Sequence, residues 1–195
     1  QQSFEIHDLL EKWSEPFSAF GSILGLNYNH GFIKTAWKWL LKNQPHDSSW
    51  TSSVDQVEKE MEVRNDWAKQ IGNEVFRRSA QWIVQKLQTK TDENKIPIVI
   101  FNPHPWERSG LVKARFENTL GAFQLINEEG KEITTQSKKI EKNMKDRDRR
   151  RVYVGSHGPI GKNFYEVMFN AENIPALGYK TYFIQKRNPK VDLEL

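Results

Sequence analysis

Thr89-Lys90-Thr91-Asp92-Glu93-Asn94-Lys95 contains no apolar residue and separates two kinds of hydrophobic periodicity. Upstream, apolar residues step at three and four. Leu9, Leu10, Trp13, Phe17 and Phe20 make one apolar helical face that runs to the breakers Gly21 and Gly25. Pro16 interrupts that face, so a kink or a restart is expected there. Ile33, Ala36, Trp37, Leu40 and Leu41 repeat the pattern in a shorter helix that must end before Pro45. Val54, Val57, Met61, Ala68, Ile71, Val75 and Trp82 predict a long third helix from about Ser53 to Leu87, roughly 50 Å at 1.5 Å per residue. Ser53 followed by Gln56 is a capping-box arrangement at its start. The Trp and Met side chains of this stripe read as core, Arg64 lies within it, and Gly72 signals flexibility or close packing.

Downstream the pattern turns to strands. Ile96 to Phe101 is an apolar run closed by Asn102-Pro103-His104-Pro105. Gly110 to Phe116, Phe123 to Asn127, Ile133 to Ile140, Arg151 to Val154, Asn163 to Phe169 and Tyr179 to Gln185 follow. Strands at this spacing with no helix between them predict an antiparallel sandwich or barrel. The expected fold class is therefore α+β: a three-helix bundle over residues 1–90, then an incomplete antiparallel β-sandwich-like domain over 96–195.

Composition narrows the function. The 195 residues include seven Trp and eleven Phe, too much large apolar surface for a disordered chain. Cysteine is absent, which removes disulfides, thiolate nucleophiles and cysteine-based metal sites. With no apolar run of membrane-spanning length and no secretion signal, a cytoplasmic protein without membrane partners is expected. The net charge of +4 is localised: Lys138 to Arg151 carries +5, leaving −1 for the other 181 residues. That run has interleaved acids and lacks stacking aromatics or a reading helix. It reads as a solvated hairpin tip or loop, not a nucleic-acid surface. The chain opens on Gln1 and stops shortly after Asp192, which suggests a piece of something longer.

No Gly-x-Ser-x-Gly, phosphate loop or dinucleotide turn is present, and none of His7, His30, His46, His104 and His157 has helical metal-site spacing. Gly155-Ser156-His157-Gly158 joins strands and reads as a turn. His46-Asp47 stands out. It lies in the connection between two helices, where Pro45 stiffens the backbone and side chains project from a bundle end. A neutral imidazole can ligate zinc and a carboxylate can bind hydroxyls. Equally, Asp47 or Ser48 can simply cap the next turn.

The string Ala36-Trp37-Lys38-Trp39-Leu40-Leu41-Lys42-Asn43-Gln44-Pro45-His46-Asp47-Ser48, with Asp55-Gln56-Val57 and Glu60-Met61-Glu62-Val63-Arg64, resembles the helical middle region of glycoside hydrolase family 38, the zinc-dependent α-mannosidases. Ile98-Val99-Ile100-Phe101-Asn102-Pro103 with Pro105-Trp106 and Arg108 resembles the strand opening that family's C-terminal β-domain. Ile174-Pro175-Ala176-Leu177-Gly178-Tyr179 resembles a later element of it. The resemblance implies His46 as a zinc ligand and Asp47 as a contact to mannose hydroxyls. It also implies a mannose-containing glycan as substrate. The remaining ligands and both catalytic carboxylates would come from an upstream catalytic domain, so the isolated segment should be inactive. Two departures stand out: Ser49-Trp50-Thr51-Ser52 replaces the family's Ile-Cys-Gly-Cys-like turn, and Glu58 stands where many bacterial relatives have His. The competing expectation is a non-catalytic helical and β interaction module, in which His46 tolerates substitution.

Overall fold

The computed structural model describes residues 2–45, 54–87, 93–140 and 163–187. The chain divides into two compact units, Gln1–Leu87 and Gln88–Leu195. The first is helical: α1 (Gln2–Asp8), a π-helical turn (Leu9–Ser14), α2 (Glu15–Ile23), α3 (His30–Leu41) and α4 (Asp55–Lys86). None of the described helices is long and apolar enough to cross a membrane.

Pro16 accompanies a restart. It has no N–H and its ring crowds the turn below it, so the preceding turn widens to π geometry and Pro16 falls at the start of α2. The widened turn packs on α4. A methyl group added at Gly72 would lie 2.8 Å from Leu10 Cδ2 and 3.1 Å from Leu9 Cδ2. The close approach also satisfies polar groups: the buried Ser14 hydroxyl lies 2.9 Å from Leu9 O and 3.0 Å from Gly72 O and donates there.

The buried face of α4 is made of Asn65, Ala68, Gly72, Val75, Ser79, Ala80 and Ile83, mostly small residues. Ile6, Leu10, Ala36, Leu40 and Ala68 form the centre of the unit, backed by Trp37, Trp39 and Ile71. Val54, at the head of the expected apolar stripe, is instead exposed. It occupies the cap position of α4 with extended backbone and no side-chain cap bond. Ser53 lies outside the described residues.

The second unit comprises β1 (Lys95–Phe101), β2 (Arg108–Glu117), β3 (Phe123–Ile126), β4 (Thr135–Lys139), β5 (Phe164–Ile174) and β6 (Tyr179–Lys186). They form two three-stranded antiparallel sheets, ordered β1-β6-β3 and β2-β5-β4. Val167, Phe169 and Ala171 alternate along β5 toward Leu125, Tyr182 and Ile184 of the other sheet, which makes the core of a sandwich. The expected strand at Arg151–Val154, the turn at 155–159 and the basic run beyond Ile140 lie outside the described residues.

Asn102 joins the β1 exit to the β5–β6 connection. Its buried amide nitrogen lies 2.7 Å from Trp106 O, 3.1 Å from Pro175 O and 3.2 Å from Ile174 O. Its amide oxygen accepts the His104 N–H at 3.1 Å, and its backbone N–H donates to Gly178 O at 2.9 Å. That connection is tight enough to hold Asn173 and Leu177 at positive φ, 52° and 46°. Replacing Asn102 with Ala leaves these carbonyls without their donor and should cost about 2 kcal/mol or more, read by urea unfolding.

On the outer face of the second sheet, Glu166 is only 6% exposed. It accepts from Arg115 Nε at 2.6 Å and lies 3.1 Å from Lys138 Nζ. The Arg115 bond, aided by Lys138 and opposed by burial, holds its carboxyl below the usual range. A depressed folded-state value stabilises above the unfolded-state carboxyl pKa of about 4.3 and is lost as pH falls through the folded value. Glu166→Gln should therefore destabilise by about 1–2 kcal/mol at pH 7, and the deficit against the parent chain should shrink in unfolding measurements below about pH 4.

Candidate functional site

His46 and Asp47 fall in the connection between α3 and α4 and lie outside the described residues. What is described is the platform on either side of that connection. α3 closes with Asn43 N donating to Leu40 O at 3.0 Å and Gln44 N to Leu41 O at 3.1 Å, so the helix tightens and ends ahead of Pro45.

Asn43 then turns inward. Its side chain is almost fully buried, with Nδ2 donating to Met61 O at 2.8 Å and Asn65 Oδ1 at 3.0 Å. Its oxygen faces Arg64 Nη1 at 3.5 Å, and Arg64 in turn holds Glu60 at 2.6 Å. Asn65 Nδ2 reaches Ser3 Oγ at 3.5 Å, which brings α1 into the same network. A buried amide is costly unless its donors and acceptors are matched, and here they are matched between α3 and α4. The backbone three residues before His46 is thereby fixed to the early turns of α4. Beside it, Lys42 Nζ sits 4.7 Å from the Trp39 ring, which meets Trp67 edge-on at 4.8 Å.

Each of the described histidines lies beside an aromatic ring. His7 stands edge-on to Trp37 at 5.3 Å, His30 lies 6.4 Å from Tyr28, and His104 stacks on Trp106 at 4.8 Å. Among the described residues, one His and acid grouping could span a metal ion: His7, Asp8 and Glu11. Its atoms are already engaged, Asp8 by Lys12 at 2.7 Å and His7 by Glu11 at 3.4 Å, and both acids are exposed. It is a helix-surface ion-pair ladder.

Two carboxyls among the described residues have clearly shifted acidities, and both move down. Glu166 is one; Glu74 is the other, lowered to about 2 chiefly by its bond to Arg77 and further by Arg78. A general acid needs the opposite displacement, so both are structural ion pairs.

Sequence reasoning missed Asn43 and Asn65. The signal was present at position 65, a polar residue four after Met61 and three before Ala68, spaced as the apolar stripe is.

No family model matches the sequence, and no curated protein matches it. Solved structures do. An α-mannosidase from Enterococcus faecalis V583 superposes with a TM-score of 0.73 at 18% identity, over 94% of this chain and 23% of that one. A glycosyl hydrolase family 38 protein from Enterococcus faecalis superposes with a TM-score of 0.71 at 17% identity, over 94% and 24%. This chain therefore has the fold of a segment of such enzymes and spans about a quarter of their length.

If Asn43 and Asn65 act as one clamp, alanine at either should destabilise the helical unit by about 1–3 kcal/mol. The double variant should then cost clearly less than the sum, as a double-mutant cycle of urea unfolding would show.

Proposed function

We propose that the chain is the helical and β segment of a retaining, zinc-dependent α-mannosidase, in which His46 supplies one zinc ligand and Asp47 binds hydroxyls of the mannose ring. The observation that carries this reading is a single fold likeness that runs through both units in chain order. The three sequence motifs agree with it, and the Asn43 clamp supplies a rigid root for the 46–53 connection.

Donor chemistry limits what the segment does by itself. His46 offers one neutral nitrogen and Asp47 one carboxylate, whereas zinc takes about four ligands. The chain fits part of a zinc site, and the remaining donors belong to another domain of the parent protein. Hydrolysis with retention needs two carboxyls about 5 Å apart across the glycosidic bond, which a single loop aspartate does not provide. Zinc, when bound, supplies a Lewis acid at the sugar hydroxyls. This chain's part is to hold the imidazole in its neutral form at a fixed place and to present the Asp47 oxygens as acceptors. Exposed apolar side chains on the helical unit, among them Phe4, Phe20, Ile23, Phe32 and Trp67, are suited to covering by that further domain. The absence of cysteine fits a cytoplasmic setting.

The test is metal analysis and kinetics of the intact parent protein. His46→Ala should reduce bound zinc from one equivalent to a small fraction and abolish turnover of an α-mannoside. Full zinc occupancy with full turnover in that variant ends the reading.

A further inference from the structure

Cross-strand partners in an antiparallel sheet share a face, and the register sets Thr135 opposite Phe169 and Ser137 opposite Val167. These two hydroxyls thus stand on the inner face of the second sheet, in line with two fully buried core side chains. Yet Ser137 is exposed and Thr135 only half-buried. A sandwich needs apolar residues at inner positions, and β4 has polar ones, so the core stops short of it. A cleft of about 790 Å³ opens there between the residues of β3 and β4, each of which stands at one edge of its sheet among the described residues.

Tyr165 forms an aromatic wall of this cleft. It is held edge-on to Phe123 at 5.2 Å and stacked with Phe116 at 6.3 Å. Tyr165 and Gly121 also line an adjoining pocket of about 450 Å³ that carries Thr119 and Asn163. Among the described residues, the hydroxyls of Thr134, Thr135, Ser137 and Tyr165 have no protein hydrogen-bond partner. The charged side chains of the larger cleft, Glu132 and Arg187, neutralise each other at 3.0 Å.

We propose that this cleft binds a neutral, hydroxyl-rich glycan, one sugar ring lying against Tyr165 and its hydroxyls exchanging hydrogen bonds with Thr135 and Ser137. An apolar occupant would strand those hydroxyls without partners. An anion would find no unpaired cation among the cleft's lining side chains. A sugar offers both an apolar C–H face for the ring and hydroxyls that match the row along β4. The site lies wholly within the β unit and does not depend on the mannosidase reading.

The test is electrophoresis of the 195-residue chain in native gels containing a soluble α-mannan, a galactomannan or a dextran. At least one polysaccharide should retard the parent chain. The variant Thr135→Val with Ser137→Ala should bind at least about fivefold more weakly, since two hydrogen bonds are lost, with an unchanged melting temperature. Tyr165→Phe keeps the ring in its aromatic cluster and removes only the hydroxyl; it should weaken binding in the same sense. No retardation in any of the three gels, or equal retardation of parent and variants, overturns the proposal. Zinc content of His46→Ala in the intact protein reads the other proposal, so the two fail separately.

Discussion

A single buried amide, that of Asn43, fixes where the chain leaves α3 and how that point stands relative to α4. Its donors are matched to Met61 O and Asn65 Oδ1, and nothing else of its size could meet both without leaving one of them unpaired. Apolar contacts hold helices together but slide easily along their axes; a bidentate polar contact does not. The helical unit uses both kinds. Leu10, Leu40 and Ala68 supply the area, while the Asn43 and Ser14 contacts set the position of one helix on the next.

The same division of labour recurs in the β unit. Phe169, Leu125 and Ile184 fill the space between the sheets. Asn102 and Glu166 determine which strands and turns meet: Asn102 binds the chain after β1 to the turn between β5 and β6, and Glu166 ties β5 to both of its neighbours. Glu166 is the more expensive device, because a carboxylate withdrawn from water depends on both cations. Two of the sequence motifs quoted for the family resemblance, Asn102-Pro103 and Ile174 to Tyr179, turn out to be the two sides of one hydrogen-bonded corner.

Periodicity revealed the helical and β parts, the restart at Pro16 and the order of the described strands, because those depend on the spacing of apolar residues along one segment. The interior face of α4 was less legible. It is built from Asn65, Ala68, Gly72 and Ser79; Ala68 falls in the apolar stripe and Gly72 reads as close packing, but no hydrophobic count singles out the polar Asn65 and Ser79. The widened turn itself follows from Pro16 only once the packing of Leu9 and Leu10 on Gly72 is known. Asn102 looked like turn punctuation, and two of its three carbonyl acceptors, Ile174 O and Pro175 O, are long-range in sequence. Candidate site residues fared differently for a chemical reason: His46-Asp47 was legible as donor types, but a dipeptide carries no information on where its partners come from.

At 17–18% identity the likeness to those solved structures is one of architecture, which says nothing of chemistry. The chemistry proposed here resides in a short connection whose single imidazole is incomplete as a metal site. A segment that supplies one ligand gains nothing from holding it loosely, because each added degree of freedom lowers the population competent to complete the coordination sphere. The buried amide of Asn43 is the kind of device the proposed role would demand: it fixes the backbone at the end of α3 to α4 when the helical unit folds.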